Sequence, residues 1–267
     1  MDHERRSVHS QEKALSQLVD RACRHWEARR QAAARRHSSR PHSAGFTVAL
    51  SREVGTQGTL IAHEVGRLLN WPVYDHELLE RIAQDMGLRT SLLESVDEQQ
   101  QSLLLVMAEA FLSAPGGSVW EPLVTESGYV HHLVKVVLAL GVHGECVIVG
   151  RGAPFILRPE TTLRVRLVGR LRERIAVRSR QHGIPESEAA RQVRTIDRER
   201  TDFVQDHFSQ DATDPLNYDL VLNGPRLTVR HNAELIAEAL RRRQAQATEA
   251  KSARPPAKVP LSKGHVR

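Results

Sequence analysis

Short apolar runs that end near a glycine, each followed by a stretch with helical spacing, dominate the middle of this chain. Phe46–Ser51 (FTVALS) is β-rich and leads into a loop holding Gly55 and Gly58. Leu60, Ile61, Val65, Leu68 and Leu69 then recur at helical spacing. Cys146–Val149 (CVIV) is a continuous apolar strand ending at Gly150, and Leu163–Val168 and Tyr218–Leu222 read as further strands. Trp71–Tyr74 is a short extended piece, followed by the helical segment HELLERIAQDMG, closed by Gly87. Helices are also predicted over Ser91–Leu112, Val130–Leu140, Leu171–His182, Glu186–Thr201 and Ala233–Arg243, with a loop at Ala114–Ser118. This alternation, without a hairpin dipeptide between strands, predicts an α/β fold with a parallel sheet covered on both faces. Phe46, Val48, Leu50, Val147, Val149, Val165, Leu167, Leu220 and Leu222 are the expected strand core.

The ends differ from the middle. Residues 1–44 carry a net charge of +5 and residues 241–267 one of +7, whereas residues 45–240 carry −6. The basic character therefore belongs to the tails, and only there does charge speak for a polyanion such as nucleic acid; solvated ends that aid solubility are the favoured explanation. Aromatic residues make up 4% of the chain, too few for an extended base-stacking platform. A helix is predicted over residues 11–37, with Leu15, Leu18, Val19 and Cys23 as an apolar stripe, Trp26 beyond it, basic residues on the opposite face and a break at HSSRPHSAG (37–45). The resulting division is a basic N-terminal helix and linker (1–44), an α/β domain (45–243) and a basic, disordered tail (244–267). Two cysteines, no apolar run of the roughly 20 residues a membrane span needs, and no apolar leader predict a cytoplasmic protein without membrane contact. The oligomeric state is not readable from the sequence.

Four junctions can carry chemistry. In SREVGTQGTLIAHE, Gly55 and Gly58 allow backbone N–H groups to turn inward at a helix N-terminus, which favours phosphate; an ordinary strand–helix turn is the alternative. The full phosphate-loop pattern has a Lys before the terminal Ser or Thr, and here Gln57 stands in its place. In CVIVGRGAPFIL, Arg151 lies between Gly150 and Gly152 at a strand's carboxyl end, suited either to a phosphate or to a surface carboxylate. Asp75 follows the third run and can serve as a helix N-cap. Arg191, Arg194, Arg198 and Arg200, interleaved with Asp197 and Glu199, taken alone fit a solvated helix face with i,i+4 pairs better than a site. The histidines form no convincing metal site, and no metal ligand is assigned.

In this order the segments ALSREVGTQGTLIAHEVGRLL, PVYDHELLERIAQDMG, CVIVGRGAPFIL, LRVRLVGRLRERIAVRSRQHGI, RTIDRER and NYDLVLN resemble the cytidylate kinase-like family of P-loop nucleoside-monophosphate kinases. The resemblance runs from about Phe46 to Leu240. It implies a five-stranded parallel sheet with flanking helices, a helical nucleotide-monophosphate region and a mobile lid. It also implies transfer of the ATP γ-phosphoryl group to CMP or dCMP with Mg²⁺. Carried over by position, Gly55, Thr56, Gln57, Gly58 and Thr59 would line the ATP phosphates. Asp75 and Arg151 would face the acceptor nucleotide, and Arg194, Asp197, Arg198 and Arg200 would belong to the lid. Two departures stand out: the lysine is absent, and Val149 takes a position that is acidic in cytidylate kinases. Arg52 is the nearest replacement cation and is therefore counted with the lid residues as catalytic; it can equally pair with Glu53 or Glu64. A non-catalytic nucleotide-binding protein on the same fold is the rival reading.

Overall fold

The computed structural model describes residues 15–28, 31, 45–94, 96 and 126–252. In chain order the elements begin with α1 (residues 15–28), β1 (Thr47–Arg52), α2 (Gly58–Leu69), β2 (Val73–Tyr74), α3 (His76–Gln84) and α4 (Met86–Glu94). They continue with α5 (Glu126–His143), β3 (Cys146–Val149), α6 (Ala153–Ile156), β4 (Thr162–Val168), α7 (Leu171–His182), α8 (Glu186–Phe208), β5 (Leu220–Asn223) and α9 (Val229–Ser252).

The five strands form one sheet in the order β2–β3–β1–β4–β5, and all the pairings are parallel. Val48 lies opposite Val147 and Leu163, and Leu50 opposite Val149 and Val165. These runs are apolar without alternation because both faces are covered. On one face Val48, Leu50, Val147, Val149, Leu163, Val165 and Leu167 pack on Ile61, Ala62 and Val65 of α2 and Ala233, Ile236 and Leu240 of α9. On the other, Ala49, Cys146 and Ile148 share a core with α3, α5 and α1. Six of the nine expected strand-core residues are completely buried; Phe46, Leu220 and Leu222 are half-buried. Phe46 precedes the strand, and β5 is an edge strand with a neighbour on one side only.

Helix α1 packs its apolar stripe on the domain. Trp26 is buried, and its indole N–H donates to the hydroxyl of Tyr74 in β2 at 3.0 Å. Arg21 and Arg24 face outward, as the sequence suggests.

Several boundaries differ from the sequence reading. The segment HELLERIAQDMG is not one helix closed by Gly87. Its first nine residues form α3, and Asp85 then opens α4, its carboxylate accepting the Leu88 N–H at 3.0 Å. That bond satisfies a donor which every helix start leaves free, so a new helix begins where a longer one was expected. The expected helix over Ser91–Leu112 is described only to Glu94, and residues 97–112 and the Ala114–Ser118 loop lie outside the described residues. Helix α8 runs on past Thr201 to Phe208, where Val204 and Phe208 are buried. Helix α9 continues to Ser252, since no glycine or proline interrupts the sequence between Val229 and Pro255. Most of both basic ends lies outside the described residues. No helix among the described residues is long and apolar enough to cross a membrane.

Candidate active site

The carboxyl ends of β1 and β3 meet where the sheet order reverses, which is where ligands bind in open α/β sheets. The loop after β1 reaches α2 through two left-handed residues, Gly55 (φ 81°) and Gln57 (φ 60°), the latter being the N-cap. Thr56 is buried, and its hydroxyl donates to Glu53 O at 2.8 Å. Among the described residues the N–H groups of Gly55 through Thr59 have no hydrogen-bond partner. Such donors at the start of a 12-residue helix suit an anion. A side chain at Gly58 would press on Arg52, whose Cγ lies 2.7 Å from the place of its Cβ.

Three arginines converge beside this loop. Arg52 ends β1 and lays its guanidinium over Gly150, where a Cβ would collide with Nη1. Arg200 of α8 donates to the Arg52 carbonyl at 3.2 Å. Arg151, in a left-handed conformation (φ 50°), pairs with Glu80 of α3 and lies 5.7 Å from the centre of the Phe203 ring. Burial, followed by the charges of Arg200 and Arg151, pushes the Arg52 pKa down to about 9. Burial likewise lowers those of Arg151 and Arg200. Arg52 has no carboxylate within ion-pair distance among the described residues. Asp75 offsets part of that charge, and a desolvated cation with no carboxylate in contact gains from an incoming anion. His76 is lowered too, by burial first and by Arg52 next.

A cavity of about 840 Å³ opens over these groups; Arg52, Arg151, Arg198, Arg200 and Phe203 line it, with Asp202 and Asp206 also on its wall. A cationic floor and a partly aromatic, partly acidic wall can hold a molecule with a phosphate at one end and a polar ring at the other.

The sequence model of the cytidylate kinase-like family matches residues 47–225. The chain belongs to the cytidylate kinase-like family. Among curated proteins none matches. A solved structure described as an uncharacterized protein from Eubacterium ventriosum shares the fold, at 19% identity and a TM-score of 0.57 over 74% of this chain and 98% of that one. The all-parallel, five-stranded sheet flanked by helices agrees with a P-loop kinase-like fold.

Within this cytidylate kinase-like domain, Arg52, Arg151, Asp197, Arg198 and Arg200 line one cavity. Gly55, Thr56, Gln57, Gly58 and Thr59 form the turn into α2 and are not among the residues lining the cavity. Asp75 caps α3, its carboxylate accepting the Leu78 N–H at 3.0 Å. Arg194 is exposed and is not among the residues lining the cavity. Asp197 binds the Val54 N–H at 2.8 Å and pairs with Arg174. Arg174, Arg166 and Glu53 were not singled out from the sequence, yet all three border the cavity. Arg166 donates to Ser51 Oγ at 3.1 Å and Arg174 Nε lies 3.2 Å from Glu53 Oε2. The sequence offers no distinguishing signal for Arg174, which is one of five arginines in the segment RLRERIAVRSR.

Proposed function

We propose that this protein is a nucleoside-monophosphate kinase that transfers the γ-phosphoryl group of ATP to CMP or dCMP. The observation that carries the reading is the convergence of Arg52, Arg151 and Arg200 on one cavity, with Arg52 also lying against Gly58 of the loop whose N–H groups are unpartnered. Phosphoryl transfer depends on positioned cations and donors that offset charge on the phosphates. In this reading the loop N–H groups and Arg52 hold the donor phosphates, with Arg52 supplying the charge that Gln57 does not. Arg151 and Asp75 face the acceptor, and Arg198 and Arg200 close over it from α8.

Mg²⁺ takes few protein oxygens and completes its shell with phosphates and water. Thr59, exposed at the start of α2 with no hydrogen bond to its hydroxyl among the described residues, fits that role. The ion would offset charge on the transferred group. We place the protein in the cytoplasm on the strength of its free cysteines, Cys23 and Cys146.

A specific departure favours a second reading, a nucleotide-binding protein without turnover: Gln57 replaces the lysine of an intact phosphate loop. ADP release with ATP and Mg²⁺, measured across CMP, dCMP, UMP and AMP, separates the two. Turnover fastest with CMP or dCMP supports the kinase. Nucleotide-induced thermal stabilisation without turnover supports the second reading.

A further inference from the structure

We propose that Arg174 and Asp197 form a clamp that sets the shape of the loop after β1 and ties it to helix α8. Both are then positioning residues for the triphosphate donor, an assignment that rests on the reading of this loop as the donor-phosphate cradle.

The clamp grips one residue's backbone from two sides. Asp197 Oδ1 accepts the Val54 N–H at 2.8 Å, and Arg174 Nη1 donates to the Val54 carbonyl at 3.1 Å. The same Nη1 donates to Asp197 Oδ2, so the two grips are joined. Arg174 Nε donates to Gly169 O at 2.9 Å and lies 3.2 Å from Glu53 Oε2. That same carboxylate oxygen accepts the Gly169 N–H at 3.0 Å, which closes the circuit. Three segments distant in sequence thus meet on one buried guanidinium, 7% exposed as a residue. A planar fork with donors on fixed bearings can serve four acceptors at once, which the single ammonium of a lysine cannot.

The backbone fits the same picture. A Cβ on Gly55 would collide with the carbonyl oxygen of Arg174, so α7 lies directly against the loop. On α8, Asp197 and Arg200 are three residues apart and share a face. The first holds Val54 N and the second Arg52 O. Helix α8 is therefore fastened twice to the end of β1, and Arg198, which lines the cavity, lies between the fasteners. Any swing of α8 away from the cavity must break the grip on Val54. Loop order and lid position are one coupled motion.

The test uses the full-length chain and two measurements. Backbone hydrogen exchange is followed in the free protein, and the Kd values for ATP and CMP are measured separately. In Arg174→Met, exchange of the Glu53 and Val54 amides, the two in this loop that are hydrogen-bonded, should rise about tenfold or more, while the β3 and β4 amides keep their protection. ATP affinity should fall about tenfold and CMP affinity by less than about twofold. Arg174→Lys should recover part of both effects. Asp197→Ala, at a partly exposed position, reports on the same loop should Arg174→Met fail to fold. Wild-type exchange of the Glu53 and Val54 amides in Asp197→Ala would overturn the clamp. So would a rise spread evenly over the whole sheet, or equal losses for ATP and CMP. If wild type binds no triphosphate, the phosphate-cradle reading fails, and the exchange measurement still decides whether the clamp exists.

Discussion

Two strand-to-helix junctions in this protein share one grammar. β1 passes through Gly55 into α2, and β3 passes through Gly150 and Gly152 into α6. All three glycines have positive φ (81°, 79° and 71°). Their surroundings differ in kind. At Gly55 the space a side chain needs is filled by main chain, the carbonyl of Arg174. At Gly150 it is filled by the guanidinium of Arg52, and at Gly152 by the ring of Phe208 on α8. The first junction is cast against backbone held by an ion-pair network centred on the buried Arg174. The second is cast against the ends of side chains that belong to the site and its covering helix. A rigid frame and an adjustable one lie side by side at the same edge of the sheet.

Substitution at the two glycines should separate these roles, and the effect should be largest at the first. Gly55→Ala forces a left-handed alanine against a carbonyl that cannot rotate away, so a stability loss of about 3 kcal/mol is expected in urea denaturation. Gly183→Ala, also at positive φ (63°) but with open space around it, should cost only about 1 kcal/mol. Gly150→Ala displaces Arg52 more than it strains the fold. It should lower kcat about a hundredfold, as a misplacement of about 1 Å does, with a stability loss nearer that of Gly183→Ala. If Gly150→Ala unfolds the protein as readily as Gly55→Ala, the two junctions do not differ as argued.

The unequal legibility of these junctions has a physical cause. Val48, Leu50, Val147 and Val149 are readable as buried because a strand covered on both faces has no polar alternation to obscure it. The glycines are readable because strand, glycine and helix are adjacent in the chain. What holds the glycines is not. Arg174 meets Val54 across 120 positions, and Arg151 meets Glu80 across 71. Nothing local distinguishes Arg174 from Arg172, which is exposed. The same holds within RTIDRER: helical spacing places its arginines around α8, but only the packing of α8 on β1 decides which of them reach the cavity. The break at Asp85 was hidden for the opposite reason: the helical spacing of HELLERIAQDMG runs across it, although Asp is a favoured helix start.

Helix α8 offers a smaller contrast of the same kind. Arg198 lines the cavity, whereas Arg194, one turn earlier, does not. Both are exposed on α8, so neither substitution should move the melting temperature appreciably. Arg198→Ala should lower kcat about tenfold, as loss of one charge-stabilising donor does, and Arg194→Ala by less than about twofold. Equal kcat values for the two variants, in an assay where wild type turns over, would reduce Arg198 to surface charge.

A third junction, from β2 into α3, has no glycine, and it is braced from outside the segment that matches the family. Tyr74 ends β2, is completely buried, and directly precedes Asp75, the N-cap of α3. Its hydroxyl accepts the indole N–H of Trp26 at 3.0 Å and lies 3.3 Å from Nδ1 of His25, both on α1. Residues 15–28 precede the family match at residue 47, yet Ala22 and Trp26 belong to the same core as Leu78 and Ile148. Trp26→Phe keeps most of the apolar contact and removes the donor. The Tyr74 hydroxyl retains its approach to His25, so it is not left stranded, and the loss should be about 1 kcal/mol. Tyr74→Phe should cost more, about 2 kcal/mol, because it leaves the buried Trp26 indole N–H without its acceptor, and the double variant less than the sum, because both single changes delete the same bond. Turnover should change by less than about twofold, since Asp75 is also fixed by its own bond to Leu78 N. A strictly additive double variant would show that α1 stabilises this junction by packing alone. A rise in KM for the acceptor alone would instead show that the brace sets the position of Asp75, making this glycine-free junction as adjustable as the one at Gly150.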